Sequence, residues 1–129
     1  MNKLTAKQLL MINRKLSGET TAVSDNLMKK LEDISKMPYE QNENFFYVYR
    51  NTVAKASKLG CSIATIKPFR EKNNQTAILA LLSLLELNKI QLTAYEAHLQ
   101  TLVTLLESGD VDGTKGWIER HLPLDAGVD

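Results

Sequence analysis

The sequence predicts an all-α fold of about six helices arranged around one apolar helix. Three observations carry this. Through most of the 129 residues, apolar side chains recur at three- and four-residue spacing, the mark of helices with one buried stripe. One stretch, AILALLSLLEL at residues 77–87, is apolar on every face, and such a helix needs neighbours all round it. No run alternates over strand length; the one exception to an all-helical reading is a short hairpin or extended flap at residues 37–41.

The elements run in order. Leu9, Ile12 and Leu16 form the stripe of a first helix from Thr5, with Gly18 as its stop. Ser24 or Asp25 caps a second, whose stripe is Leu27, Leu31 and Ile34. It ends before Pro38, whose ring clashes with a preceding helical turn. A third helix is expected over residues 44–59, with Phe46, Tyr49, Val53 and Ala56 facing inward and Gly60 in the left-handed cap position. A polar loop, 61–72, then leads to the fourth, apolar helix at 73–88. Thr93 and Glu96 have capping-box spacing and start a fifth helix through Leu99, Leu102, Val103 and Leu106. The run Ser108, Gly109, Asp110 ends it. Asp112 is expected to cap a short sixth helix bearing Trp117 and Ile118, closed by Pro123. Residues 1–124 thus read as one domain, with a small polar tail at 125–129 that should fray.

Composition narrows the function classes. With 43% hydrophobic and 24% charged residues and a net charge of +1, the chain has the make-up of a globular protein and not of a disordered one. Nothing in that charge demands a nucleic-acid or anionic-membrane partner. The apolar run at 77–87 is too short for a bilayer, which needs roughly 20 residues. The N-terminus, MNKLTAKQLL, lacks the apolar run of a secretory signal. A single cysteine, Cys61, forms no internal disulfide and fits a reducing compartment, so the expected location is cytoplasmic.

Charge is unevenly distributed. Residues 1–36 and 37–90 each carry seven basic and four acidic side chains, whereas 91–129 carry two basic and seven acidic. Either the acidic C-terminal part covers a basic body, or the basic body surrounds an anion site. The loop IKPFREKNNQTA at 66–77 favours attention to the second possibility. Lys67, Arg70 and Lys72, with the carboxylate of Glu71, stand just before the first turn of the apolar helix. Free N–H groups and a partial positive charge at a helix start suit a phosphate. Asn73 or Asn74 caps that helix on the plainer reading, and Phe69, apolar among charges, should anchor the loop to the core. His98 and His121 lie outside this stretch, and His121 at a helix C-terminus reads as a dipole partner. No Cys/His cluster has zinc spacing.

That loop resembles the signature of the Fic/Doc (Fido) family, His-x-Phe-x-Asp/Glu-Gly/Ala-Asn-Gly/Lys-Arg, and most closely its death-on-curing branch, which continues Thr-Ala. LTAKQLLMINRKL and AVSDNLMKKLEDI resemble that branch's first two helices. MPYEQ, including Pro38, Tyr39 and Glu40, resembles the flap that clamps a target peptide by backbone pairing. The resemblance implies a Fido-type bundle and transfer of a phosphate-containing group from a nucleotide such as ATP, with Mg²⁺, to a protein hydroxyl. It further implies an antitoxin peptide or a protein substrate as partner.

Residue by residue, Pro68 and Phe69 fit, Glu71 takes the acidic position that helps hold Mg²⁺, Asn73 matches the motif asparagine, and Thr76 and Ala77 match the start of the family's next helix. Arg70 stands at a variable position, among the residues expected around the phosphates. The catalytic histidine position, however, is Lys67, the small residue is Lys72, the following Gly/Lys is Asn74, and the phosphate-clamping arginine is Gln75. A lysine, ordinarily protonated up to a pKa of about 10.4, is a poor general base at neutral pH. Exchanging arginine for glutamine removes a bidentate, charge-assisted clamp from a reaction that depends on positioning and electrostatics. The expectation is a Fic/Doc-like protein with impaired or lost catalysis. The alternatives are an active transferase with altered chemistry or a non-catalytic peptide-binding module of a toxin–antitoxin system.

Overall fold

A computed structural model describes residues 2–123. The expected frayed tail at 125–129 lies outside the described residues, as does Leu124. The described residues form six α-helices and no extended strand: α1 (Ala6–Ser17), α2 (Asp25–Lys36), α3 (Thr52–Ile66), α4 (Asn73–Leu87), α5 (Leu99–Glu107) and α6 (Val111–Glu119). None is long and apolar enough to cross a membrane.

The first two helices start and stop as the sequence indicates. Thr5 and Gln8 close a reciprocal capping box at α1, and Gly18 takes the left-handed conformation (φ 72°) that ends it. Ser24 caps α2, its hydroxyl accepting from Leu27 N–H. Leu9, Leu31 and Ile34 are fully buried. At Pro38 the chain tightens into a 3-10 turn, Met37–Tyr39. The expected flap is therefore helical at its start. Pairing is confined to one isolated antiparallel bridge, Gln41 to Tyr47.

The third helix is displaced toward the C-terminus. Residues 44–50 are not helical, because the Asn42 side chain takes up the backbone: its Oδ1 accepts from Asn44 and Phe46 N–H, a local turn that competes with helix formation. Phe46 is consequently 64% exposed instead of facing the core. Helix α3 begins where Asn51 accepts from Ala54 N–H and continues through the stretch read as loop. Ser57, Ser62 and Thr65 donate to the carbonyls four residues earlier, so these hydroxyls are satisfied inside a helix. Lys67, not Gly60, is the left-handed terminator (φ 52°). Gly60 instead marks a close approach. A Cβ there would lie 2.9 Å from Leu106 Cδ2 and 3.1 Å from Leu81 Cδ1, so α4 and α5 pack directly over its backbone.

Helix α4 lies in the interior against α1, α3 and α5, with Ala77, Ala80, Leu81, Leu84 and Leu85 buried. Its outer side is open at Leu79, 40% exposed. The most fully enclosed helix is α3, buried almost continuously from Ala54 to Ala64, because its alanines, serines and glycine let α1's neighbours α2 and α4, together with α5 and α6, draw close. Thr93 does not start α5. Its N–H and hydroxyl both bond to His121 C=O, Ala94 has positive φ, and α5 begins at Leu99 after a 3-10 turn, Glu96–His98. Asp110, not Asp112, caps α6 through Gly113 N–H at 2.7 Å.

Candidate functional site

Between α3 and α4 the motif loop is held by four side chains. Asn73 spans it, its Oδ1 accepting from Phe69 N–H at 3.0 Å and its Nδ2 donating to Phe69 C=O at 2.9 Å. Phe69 itself is 7% exposed and joins the core, as its isolation among charges suggests. Asn13 of α1, buried, donates to Glu71 C=O and to Thr76 Oγ1, and Thr76 Oγ1 donates to Lys72 C=O. Lys72 occupies the position before the helix with φ 64°, a left-handed conformation that favours a residue without Cβ. Neither Asn73 nor Asn74 caps α4 with its side chain. Asn74 is half-buried, with its amide oxygen unpartnered.

This loop forms one wall of a cleft of about 930 Å³. Pro68, Phe69, Arg70 and Glu71 face α1, α2 and the segment joining them. Across the mouth, Arg70 pairs with Glu19 at 3.6 Å. The Glu19 carboxylate also accepts the N–H groups of Thr20 and Thr21. The Thr21 amide, followed by the Thr21 hydroxyl, holds its pKa below the ordinary carboxylate value, with Arg70 adding to the effect. Arg14 donates to Thr21 C=O and leaves its Nε buried without a partner. Lys29, Lys30 and Asp33 complete the polar lining from α2.

The expected site residues divide. Arg70 and Glu71 line the cleft; Lys67, Lys72, Asn73, Asn74 and Gln75 do not. Lys67 and Gln75 are exposed, and Asn73 works from behind as a brace. Pro38, Tyr39 and Glu40 stand apart: Pro38 is buried, and Tyr39 shares a recess with Thr52 and Lys55 at the start of α3, roughly 20 Å along that helix from the motif loop. Sequence reading missed Asn13, Arg14, Glu19 and Thr21, which carry no motif and reach the cleft only because α1 packs antiparallel to α4, with Asn2 at Leu87 and Asn13 at Thr76.

The donor set does not fit a magnesium nucleotide in the way the motif resemblance implies. Glu71 is the single motif carboxylate, no group of three His, Cys, Asp or Glu among the described residues could hold a metal, and uncharged Gln75 stands where a guanidinium would bind phosphate. Other reactive side chains are committed elsewhere. Cys61 is buried inside α3 rather than at a loop entrance, 3.6 Å from Thr114 Oγ1, and burial pushes its thiol pKa up, away from the reactive thiolate. His121 sits after α6 with Nδ1 2.7 Å from Trp117 C=O, the helix-end placement its position suggests. Among the described residues the one ion pair is Glu19 with Arg70, so none there joins the acid-rich C-terminal part to the basic body.

Compared with protein-family models, curated proteins and solved structures, the chain matches none.

Proposed function

We propose that this protein is a Fic/Doc-like domain whose transferase chemistry is impaired or lost, and that it works by holding a protein segment in the cleft between the α1–α2 connection and the motif loop. The observation that carries this reading is the loop's backbone. Lys72 sits in a conformation that favours glycine, the position where the motif has a small residue, and Asn73 ties both polar groups of Phe69. On this reading the scaffold of the motif is kept while its base and its clamp are exchanged for Lys67 and Gln75. A left-handed lysine at this place is costly relative to glycine, which is understandable in a loop that descends from a phosphate-binding one. The cleft's lining, mixed in charge and rich in hydroxyl and amide groups, suits a polar peptide, and an antitoxin segment is the partner the reading implies.

Incubating the protein with labelled ATP, Mg²⁺ and a cell lysate tests this. No protein should be labelled by the wild type, whereas Lys67→His with Gln75→Arg should restore labelling or growth arrest. Labelling by the wild type that Glu71→Ala abolishes would instead establish an active transferase of altered chemistry.

A further inference from the structure

The opposite end of α3 carries a second basic site. A recess of about 400 Å³ is lined by Lys3, Tyr39, Tyr47, Arg50 and Lys55, with Asn51, the N-cap of α3, beside them. Among the described residues no carboxylate lines it and none of its three cations is in an ion pair. Lys55 is only 3% exposed, and a buried ammonium without a counter-charge is costly. It donates to Tyr49 C=O and lies 4.3 Å from the Tyr47 ring centroid. Lys3 lies 4.3 Å from that of Tyr39, and the two rings meet edge to face at 6.5 Å. Two ammonium groups therefore flank one aromatic pair, and rings attract these cations without neutralising them. Burial first, and then the charge of Lys3, push the Lys55 pKa below the ordinary lysine value. The Tyr39 hydroxyl is buried with no hydrogen-bond partner. Finally, the start of the 15-residue helix α3 directs the positive end of its dipole here. Every unmet requirement of this recess has the same sign.

We propose that the recess binds a phosphate-bearing anion, with Lys3, Arg50 and Lys55 supplying charge and Tyr39 Oη donating a hydrogen bond. Three cations match a dianionic phosphomonoester better than a carboxylate, and a guanidinium presents two parallel donors to phosphate oxygens. This site lies away from the cleft of the proposed function and stands or falls separately.

Two sources offer that chemistry: a soluble phosphate ester and a lipid head group. The adjoining turn bears on the choice. Phe45 is 80% exposed, Phe46 64% and Val48 48%, and the amides of Asn44 and Phe46 and the carbonyl of Phe45 are bonded within the turn, by Asn42 Oδ1 and Gln41 Nε2. An exposed aromatic tip with these groups already bonded can insert at the boundary of an acyl layer; a soluble ester makes no use of it.

Thermal unfolding of the full chain in inorganic phosphate, against chloride and acetate at matched ionic strength, tests the site. Phosphate should raise Tm saturably and by more than either control. Lys3→Gln with Arg50→Gln, both exposed positions, should weaken phosphate binding at least tenfold without changing far-ultraviolet circular dichroism, and Tyr39→Phe should weaken it several-fold. A phosphate effect no larger than that of the controls, or one that survives in the double variant, overturns the proposal. Sedimentation with phosphatidylcholine vesicles, with and without phosphatidic acid, separates the sources. Co-sedimentation that needs phosphatidic acid, the two cations and Phe45 with Phe46 assigns the head group, and a phosphate shift without co-sedimentation assigns a soluble ester.

Discussion

The two ends of α3 gather positive charge by different means. At the C-terminal end, cations come in sequence, Lys67, Arg70 and Lys72, and the fold sets Arg70 among acids while Lys67 and Lys72 stay exposed outside the cleft. Glu19 pairs with Arg70 across the cleft, and Glu71 and Asp33 share its lining. At the N-terminal end, Arg50 and Lys55 come from one stretch, Lys3 joins them through packing, and among the described residues no carboxylate lines their recess. The first cluster looks basic on paper, yet the cleft beside it is mixed in charge; the second is inconspicuous on paper, yet its recess gathers cations alone among the described residues. A run of like charges along a chain is thus a poor measure of local potential, because the neighbours that decide it come from other elements.

Three changes break or sharpen this contrast, taken from the largest effect. Leu81→Ala cuts at the core that supports both ends: Leu81 is fully buried and overlies Gly60. A loss of about 2–5 kcal/mol is expected from the emptied volume, read as a lower midpoint in urea unfolding with little change in slope.

Asn73→Ala should act on one end alone. It leaves the Phe69 N–H and C=O without their side-chain partner, a cost of about 1–3 kcal/mol. Amide hydrogen exchange should accelerate at residues 67–72 and stay unchanged at 50–55. Acceleration at both ends would mean that they are coupled through α3 and are not separate sites.

Lys55→Met gives the smallest and most specific effect, a change in pH dependence. The folded-state pKa of Lys55 lies below the ordinary value, so at pH below that folded pKa the wild type bears the whole cost of the buried charge. That cost is relieved as pH rises from the folded pKa toward the unfolded value of about 10.4. Wild-type stability minus that of Lys55→Met should therefore increase with pH across this window. The Tyr39 phenol, raised by burial and then by Tyr47, acts in the opposite direction but is present in both proteins and cancels in the difference. A flat difference curve would show that Lys55 sheds its proton no earlier than a free lysine.

Much of this was legible in advance wherever a local signal suffices. Thr5 with Gln8, Gly18, Ser24 and Pro38 set the limits of α1 and α2 by backbone chemistry within a few residues, and the apolar character of 77–87 marked α4 as an interior helix. Errors arose where one local signal had a competitor, either another local bond or a tertiary one. The stripe Phe46, Tyr49, Val53, Ala56 has helical spacing, yet Asn42 captured the amides of Asn44 and Phe46 and the helix began at Thr52. The Thr93–Glu96 spacing lost to a bond between Thr93 and His121, 28 residues away. At the candidate site, the loop and its anchor Phe69 were readable because the motif is contiguous, whereas Asn13 and Glu19 were not, since nothing in α1 announces what it will touch.

By itself, then, the order of amino acids determined that the chain is helical, roughly where its helices lie, and that a cation-rich loop anchored by Phe69 precedes the apolar helix. Tertiary structure alone decided that Gly60 serves as a contact between helices instead of an end, that Lys55 is buried, and that Lys3, Arg50 and Lys55 share one recess. The physical reason is range. Capping, ring clashes and periodicity act over a turn or two of backbone, while burial and electrostatic balance depend on which distant segments pack within a few ångströms.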